Sequence, residues 1–465
     1  MLVHIVLSEL RHNILSLRLH LALLLTILLF SVGTVAFVMN MGTSNKEYRE
    51  YESKTIEALR KSAESNLSRY ATNDQTWLLP RRNDSFIDDA REKYFPNSIR
   101  FNAYNVFGFE VSPGSSNPFL KQVQELSWMY IVAIIIGFAV FLFTFDAVSG
   151  EKEARTLALA LANPVSRATL LLGKYLSAIL TTLLLLLPGM CISLIILFLT
   201  GTVPLTPAVL EEIIGFLLVV AVFVACIAAC GLLSSVLSRS ANVSLLIAIT
   251  FWLVFVVIVP NTALFWGQAL FPIEPAQSVT ERIQKEREDI NKNAPQGSWS
   301  SSSDNPFLPQ HELRAAICTK LVMSGKRIRD AWYQEMTRQV ERTRKITYFS
   351  PVSLFQYACE AVCGGGYVRF RKNWDDLHTY QGSFLSFFKE KDAADKDSPH
   401  WYNPYEDYST TKKPVSFSEA PQYRERTIPL AERVSDAGVF SLAMILYTGV
   451  IFFIAFVFFT RYDVR

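Results

Sequence analysis

The sequence predicts an all-α polytopic membrane protein with six transmembrane helices, an N-terminal interfacial elbow helix and a large, mostly helical extracytoplasmic domain. Half of the 465 residues are hydrophobic, only 19% are charged, and the mean hydropathy is +0.22. This balance is typical of a chain that is partly embedded in a membrane. Two long connections between apolar runs are rich in charged residues, which indicates polar regions outside the bilayer.

Six apolar windows define the predicted membrane spans, because a helix of about 20 apolar residues crosses the hydrocarbon core. They are residues 21–41, 128–145, 175–200, 213–237, 243–260 and 437–460. The first window is longer than the apolar core of a signal peptide and lacks a small-residue cleavage site, so we expect it to be retained. None of the windows contains Asp, Glu, Lys, Arg or His. This argues against an ion or proton carrier, which uses such groups within the membrane.

Lys and Arg in the short loops predict the orientation, because these residues accumulate on the cytoplasmic side. The connection 146–174 contains several basic residues, whereas the opposite connection, 201–209, contains none. We therefore expect both termini, including the tail 461–465, and the connection 146–174 to be cytoplasmic. The long connections 42–127 and 261–436 are then extracytoplasmic.

Residues 1–20 place apolar side chains at roughly helical spacing, interrupted by Glu9, Arg11 and Arg18. This pattern indicates a cytoplasmic helix lying in the membrane interface. A basic flank that only orients the first membrane helix is the alternative. The first extracytoplasmic segment begins with a charge-rich helical stretch and continues into an aromatic, non-helical part. The second region is long enough for a domain of its own, and its amphipathic patterns predict mostly helices.

The sequence contains no recognisable catalytic or metal-binding constellation. No stretch matches the phosphate-binding pattern G-x-x-x-x-G-K-[ST], so we do not expect this chain to bind ATP itself. The histidines are scattered, and we expect no metal site. The net charge of +3 gives no indication of a nucleic acid partner.

Cysteines 318, 359 and 363 fall in the second extracytoplasmic region, where an oxidising environment permits a disulfide. A bridge from Cys318 to Cys359 or Cys363 is one interpretation. Three buried thiols are the other.

The connection 146–174 is too apolar and too periodic for a simple loop. With the residue before it, it reads FDAVSGEKEARTLALALANPVSRATLLLGK. Leucines at helical spacing on both sides of Asn163 and Pro164 predict a short helix, a corner and re-entry into the membrane. Glu151 and Arg155 are four residues apart, so they can pair on one helical face. A solvated, positively charged loop is the alternative, but the pattern favours a surface that docks onto another protein.

This stretch resembles the cytoplasmic coupling segment of ABC-2 type transporter permeases, whose pattern runs SGEKE-x-GTL-x-x-x-L-x-x-PVSR-x-x-x-LLGK. In that family the segment contacts a separate ATPase and passes its closing motion to the membrane helices. The resemblance implies ATPase-coupling roles for Glu151, Lys152, Glu153, Arg155, Thr156, Leu157, Leu161, Pro164, Arg167, Gly173 and Lys174. Arg155 stands where the family often has Gly, from which we expect a more rigid helix. The N-terminal SELRHNILSLR resembles the elbow helix of the same family.

The resemblance further implies a non-catalytic membrane subunit of an ABC transporter, with no cofactor on this chain. ATP and Mg²⁺ would be bound by the partner ABC ATPase subunit. A second permease subunit, identical or closely related, would complete the assembly in the lipid bilayer of a bacterial inner membrane.

Three functions stay open at this point. The chain is expected to couple ATP hydrolysis to export of an unknown substrate. In mechanotransmission, the first alternative, it moves its outer domain to act on an extracytoplasmic envelope protein without transport. A membrane-anchored receptor with no ATPase is the second alternative.

Overall fold

The computed structural model describes residues 1–89, 98–110, 126–162, 165–204, 206–297, 299 and 309–462. The helices in chain order are α1 (Leu2–Ile14), α2 (Leu17–Ser65), α3 (Leu67–Thr72), α4 (Trp128–Ile131), α5 (Gly137–Thr144), α6 (Ser149–Glu153), α7 (Leu157–Ala162), α8 (Arg167–Thr200), α9 (Pro207–Leu237), α10 (Ala241–Trp252), α11 (Val259–Leu270), α12 (Ala276–Lys292), α13 (Pro309–Ile346), α14 (Pro351–Cys363), α15 (Gly366–Ala393) and α16 (Leu430–Arg461). The strands are β1 (Gln75–Leu78), β2 (Ser98–Phe101) and β3 (Val106–Glu110), which form one antiparallel sheet in that order.

Six helical segments of the described chain are long and apolar enough to cross a membrane, which confirms the predicted all-α polytopic class. They are Leu17–Ser65, Trp128–Glu153, Arg167–Thr200, Pro207–Leu237, Ala241–Leu270 and Leu430–Arg461. Two of them contain a π-helical turn: Val132–Ile136 joins α4 to α5, and Leu253–Ile258 joins α10 to α11.

The first span is far longer than a bilayer requires. Helix α2 has 49 residues, which at a rise of 1.5 Å per residue gives a length of about 73 Å. This is more than twice the hydrocarbon thickness of about 30 Å. The second half of α2 therefore projects beyond the bundle as one continuous rod.

Helix α9 lies at the centre of the bundle, where it packs against α5, α8, α14 and α16. Glycines permit the closest approaches between the helices. A Cβ atom on Gly231 of α9 would clash with the hydroxyl oxygen of Thr144, at the end of α5. Similarly, a Cβ atom on Gly189 of α8 would lie 2.8 Å from the ring of Phe30 in α2. The glycines thus let helices of the same chain pack closely against one another.

Helix α14 packs against the membrane-capable helices α9 and α16, although it belongs to the long connection 261–436. It is largely buried there. Phe355 of α14 stacks on Phe223, near the middle of α9, with ring centroids 4.4 Å apart. The π-helical turn Leu253–Ile258 also contacts α14, and Ser350 Oγ, which caps α14, donates to the carbonyl oxygen of Phe255 in that turn. The apolar composition of α14 is compatible with either a domain core or a bundle core, so the sequence did not separate the two.

The remaining elements form a second unit, which we call the head domain: residues 42–89, 98–110, 271–297, 309–349 and 364–429. Its core is aromatic, with Tyr70 of α3 packed edge-on against Phe384 of α15 at 5.1 Å. A buried ion pair joins α15 to the segment before α16: Arg369 donates two hydrogen bonds to Glu425, of 2.6 and 2.8 Å. Burial alone would raise the pKa of Glu425, but the hydrogen bonds and charge of Arg369 outweigh it and lower that pKa.

The three cysteines considered for a bridge are buried, and their thiols are free in this structure. Cys359 and Cys363 belong to α14 and are packed in the core of the bundle. Cys318 belongs to α13 and lies near Asn403 in the head domain, where burial raises the pKa of its thiol to about 11. Cys318 therefore lies in a different packing environment from Cys359 and Cys363.

Candidate functional site

The connection after α5 begins with a helix too short to be stable by itself. Helix α6 has five residues, and its start is fixed to the end of α9. The backbone N–H groups of Val148 and Ser149 donate to Ser235 Oγ over 2.9 and 3.0 Å. A single hydroxyl thus accepts two of the N–H groups that a helix start leaves without partners.

Lys152 of α6 caps the end of α9. Its Nζ donates to the carbonyl oxygens of Val236 and Ser238, the latter over 3.0 Å. The last carbonyls of a helix have no intrahelical donor and carry the negative end of its dipole, so an ammonium group stabilises them. The same ammonium lies 4.4 Å from the ring centroid of Tyr462, just after α16. Lys152 therefore joins the ends of two membrane-capable helices.

Glu153, the next residue, caps the start of α10. Its Oε2 accepts a hydrogen bond of 2.9 Å from the backbone N–H of Ala241. A carboxylate suits this position because the first N–H groups of a helix are unpaired and carry the positive end of the dipole.

Glu151 pairs with Lys174, and it does not make the pair with Arg155 that the spacing on α6 allowed. Lys174 Nζ lies 2.6 Å from Glu151 Oε1 and 2.6 Å from Oε1 of Glu9. Its side chain is only 3% exposed. Because a buried ammonium is costly unless it is paired and hydrogen-bonded, this contact fixes α1, α6 and α8 to one another.

Arg155 ends α6 instead of making it more rigid, which corrects the expectation for this residue. Its φ is +58°, in the left-handed region that favours glycine. The helix stops at Glu153, and the N–H of Thr156 folds back to the carbonyl oxygen of Glu151 over 3.0 Å. The glycine that the coupling pattern often has at this position suits such a turn.

The leucines of α7 divide between its two faces. Leu157 is 2% exposed and Leu161 packs half-buried against the bundle core, whereas Leu159 is 70% exposed. Leu157 and Leu161 are four residues apart and share a helical face, so helical phase alone would have identified Leu159 as the outward residue. Pro164 lies outside the described residues.

Helix α8 carries the last of the predicted coupling residues, and two of these hold neighbouring helices. Arg167 Nη1 donates to the carbonyl oxygens of Phe459, Thr460 and Tyr462, at 3.1, 2.9 and 2.8 Å. It thereby caps the end of α16. Gly173 lets α1 pack closely against α8, because a Cβ atom there would lie 2.6 Å from Ile5 Cγ2.

Six of the predicted coupling residues hold helices together inside the chain: Glu151, Lys152, Glu153, Arg167, Gly173 and Lys174. The exposed surface of the connection includes residues 153–156 and Leu159, which was not among the predicted coupling residues. The sequence analysis missed three participants. They are Glu9, on the predicted interfacial helix, Ser235, which accepts from the start of α6, and Asp146, whose Oδ2 lies 2.7 Å from Arg18 Nη1 at the start of α2.

The turn at Arg155 gives a stability prediction. Replacing Arg155 by Gly removes the cost of a left-handed β-carbon, about 1 kcal/mol after allowance for the entropy of glycine. Replacing it by Ala keeps that cost. We expect amide hydrogen exchange in α6 to be about five-fold slower in R155G than in R155A, since 1.4 kcal/mol corresponds to a factor of ten. Equal exchange in the two variants would contradict this description of the turn.

The comparison with known families concerns nearly the whole chain. Residues 3–464 match the model of a family described as ABC-2 family transporter protein. The match includes α1, the bundle and the head domain, and not only the segment around α6. The search of curated proteins finds no similar sequence. The chain therefore belongs to the ABC-2 family of transporter proteins and is a membrane subunit of an ABC transporter.

Proposed function

We propose that this chain couples ATP hydrolysis by a separate ABC ATPase to movement of its membrane helices, with α6 as the transmitting element. One observation carries this proposal: Glu151, Lys152 and Glu153 are consecutive and contact different helices. Glu151 reaches α8 through Lys174, Lys152 reaches the end of α9, and Glu153 reaches the start of α10. A displacement of α6 would therefore reach the three helices without an intervening flexible loop.

The exposed surface 153–156 with Leu159 is the proposed ATPase contact. It combines an exposed apolar side chain with charged neighbours, Glu153 and Arg155. Protein interfaces commonly have an apolar centre and a polar rim. In this proposal ATP and Mg²⁺ bind to the ATPase, and a second permease subunit completes the membrane assembly. The side that carries α6 is cytoplasmic, as the basic residues of the short loops predict.

Export of a substrate and mechanotransmission share this coupling mechanism, and two features favour mechanotransmission as a second candidate. Helix α2 runs unbroken from Leu17, beside the Arg18–Asp146 ion pair, to Ser65 in the head domain. Helix α14 lies between two head-domain segments along the chain, and it packs on α9 and α16 within the bundle. A tilt of α2 or a shift of α9 would therefore move the head domain directly. On this view the moving head domain acts on an envelope protein.

The contact surface can be tested by replacing Leu159 with Asp. We expect the variant to bring down at least about ten-fold less ATPase in affinity purification from its native membrane, because a buried carboxylate opposes binding by more than about 1.4 kcal/mol. M323D is the matched control, since Met323 is an exposed apolar residue of the head domain. Undiminished ATPase recovery with L159D would contradict the assignment of this surface.

Transmission can be tested separately by replacing Glu151 with Gln. Lys174 keeps its pair with Glu9, so the fold should persist while the link between α6 and α8 is weakened. We expect unchanged ATPase binding but several-fold lower stimulation of ATPase activity by the permease. The same substitution in a K174M background should have little further effect, because the link would already be absent.

E57Q serves as the control for this cycle, since Glu57 pairs with Lys61 on an exposed face of α2. Full stimulation in E151Q would contradict the proposal. An E151Q effect of the same size in the K174M background would contradict the role of the Glu151–Lys174 pair.

A further inference from the structure

The head domain contains a cavity of about 310 Å³ beside the projecting half of α2. One wall is α2, the opposite wall is β1 with α15, and the rim is the extended segment before α16. The lining residues from α2 are Tyr48, Tyr51, Glu52, Thr55, Ile56 and Leu59. At this volume the cavity is at the small end of the range for ligand sites, and it suits a single ring rather than a large molecule.

The inner walls of the cavity are aromatic and held in place. Trp77 of β1 meets the ring of Tyr423 at 4.3 Å, and Tyr423 meets Tyr380 of α15 at 5.5 Å. The Tyr380 hydroxyl donates to the carbonyl oxygen of Pro421 over 2.9 Å. Such contacts fix the ring planes in the absence of a ligand. The cavity is therefore preorganised to pack against a flat apolar face.

The lining also supplies polar groups that donate and accept hydrogen bonds. The side chains of Thr55, Gln422 and Arg424 make no hydrogen bond or ion pair within the described part of the chain. Glu52 adds a carboxylate, which accepts a hydrogen bond from Tyr48. A hydroxyl, an amide, a guanidinium and a carboxylate together can donate to and accept from the same ligand. The lining has one acidic and one basic side chain, so it does not select for a charged ligand.

An extended peptide fits this site poorly. Strand β1 is an edge of the sheet, and adding a peptide strand would require its free backbone groups. The hydroxyl of Tyr51 in α2 already donates to the carbonyl oxygen of Thr76 in β1, over 3.1 Å. Helix α2 thus covers the edge at the point where a peptide would pair.

We propose that this cavity binds a neutral pyranose ring of a saccharide. A pyranose presents an apolar C–H face to an aromatic ring such as Trp77, and its hydroxyls both donate and accept hydrogen bonds. The polar groups of Glu52, Gln422 and Arg424 match those hydroxyls. Because one wall is α2, a bound sugar contacts both the helix that begins beside α6 and the other elements of the head domain. The site is extracytoplasmic in the orientation proposed above, but the binding chemistry does not depend on the coupling mechanism.

The test is binding of defined sugars to the purified full-length chain, followed by saturation-transfer NMR and calorimetry. The probes are glucose, galactose, N-acetylglucosamine and their trisaccharides, at up to about 10 mM, where weak single-site binding is still measurable. We expect saturable binding of at least one probe. R424A and Q422A should weaken it several-fold, and W77A should weaken it at least ten-fold.

The controls distinguish loss of the binding site from loss of the folded structure. Arg424 and Gln422 are exposed on the rim, so their variants should fold normally even if W77A is unstable. W299A removes an exposed tryptophan that does not line the cavity and should leave binding unchanged. No binding of any probe would overturn the proposal, and so would binding that R424A, Q422A and W77A leave unchanged. Because no ATPase is present in this measurement, either result leaves the coupling proposal to its own tests.

Discussion

The buried ammonium of Lys174 is the interaction on which the arrangement around α6 depends. It lies between the carboxylates of Glu9 and Glu151, at 2.6 Å from each, with almost no solvent contact. Leaving this ammonium without either carboxylate would cost about 3–5 kcal/mol, because a buried charge without a partner stays desolvated. Helix α6, with five residues, has no comparable stability of its own. The position of Lys174 in α8 therefore determines where Lys152 and Glu153 reach the ends of their helices.

Two connections run from the α6 end of the bundle to the head domain. Helix α9 connects the α6 end of the bundle to α14, through contacts as close as the Phe223–Phe355 stack. Helix α2 makes a second connection, since it is continuous from the bundle into the head domain. Both connections are rigid: one is a packed aromatic core, and the other is a single helix. Because rigid elements transmit displacement, these two connections would let a movement of the bundle helices move the head domain.

Much of this fold follows from local sequence. Six apolar windows are sufficient to predict six spans, and the sequence pattern around Glu151 was specific enough to suggest the family that residues 3–464 match. The partners of the site residues depend instead on tertiary structure. Glu9 is 165 positions from Lys174, and no local spacing connects the two. The left-handed backbone of Arg155 and the burial of α14 are likewise decided by neighbours distant in sequence, whereas the outward phase of Leu159 follows from helical spacing.

The central claim is that α6 moves as one body with the helix ends it holds. The most direct measurement is a pair of structures of the chain bound to its ATPase, one without nucleotide and one with a non-hydrolysable ATP analogue. The account predicts that α6 shifts together with the neighbouring ends of α8, α9 and α10, and that the Glu151–Lys174 and Glu153–Ala241 contacts persist in both states. An α6 that swings away from these helix ends, or an ATPase docked away from residues 153–159, would contradict it.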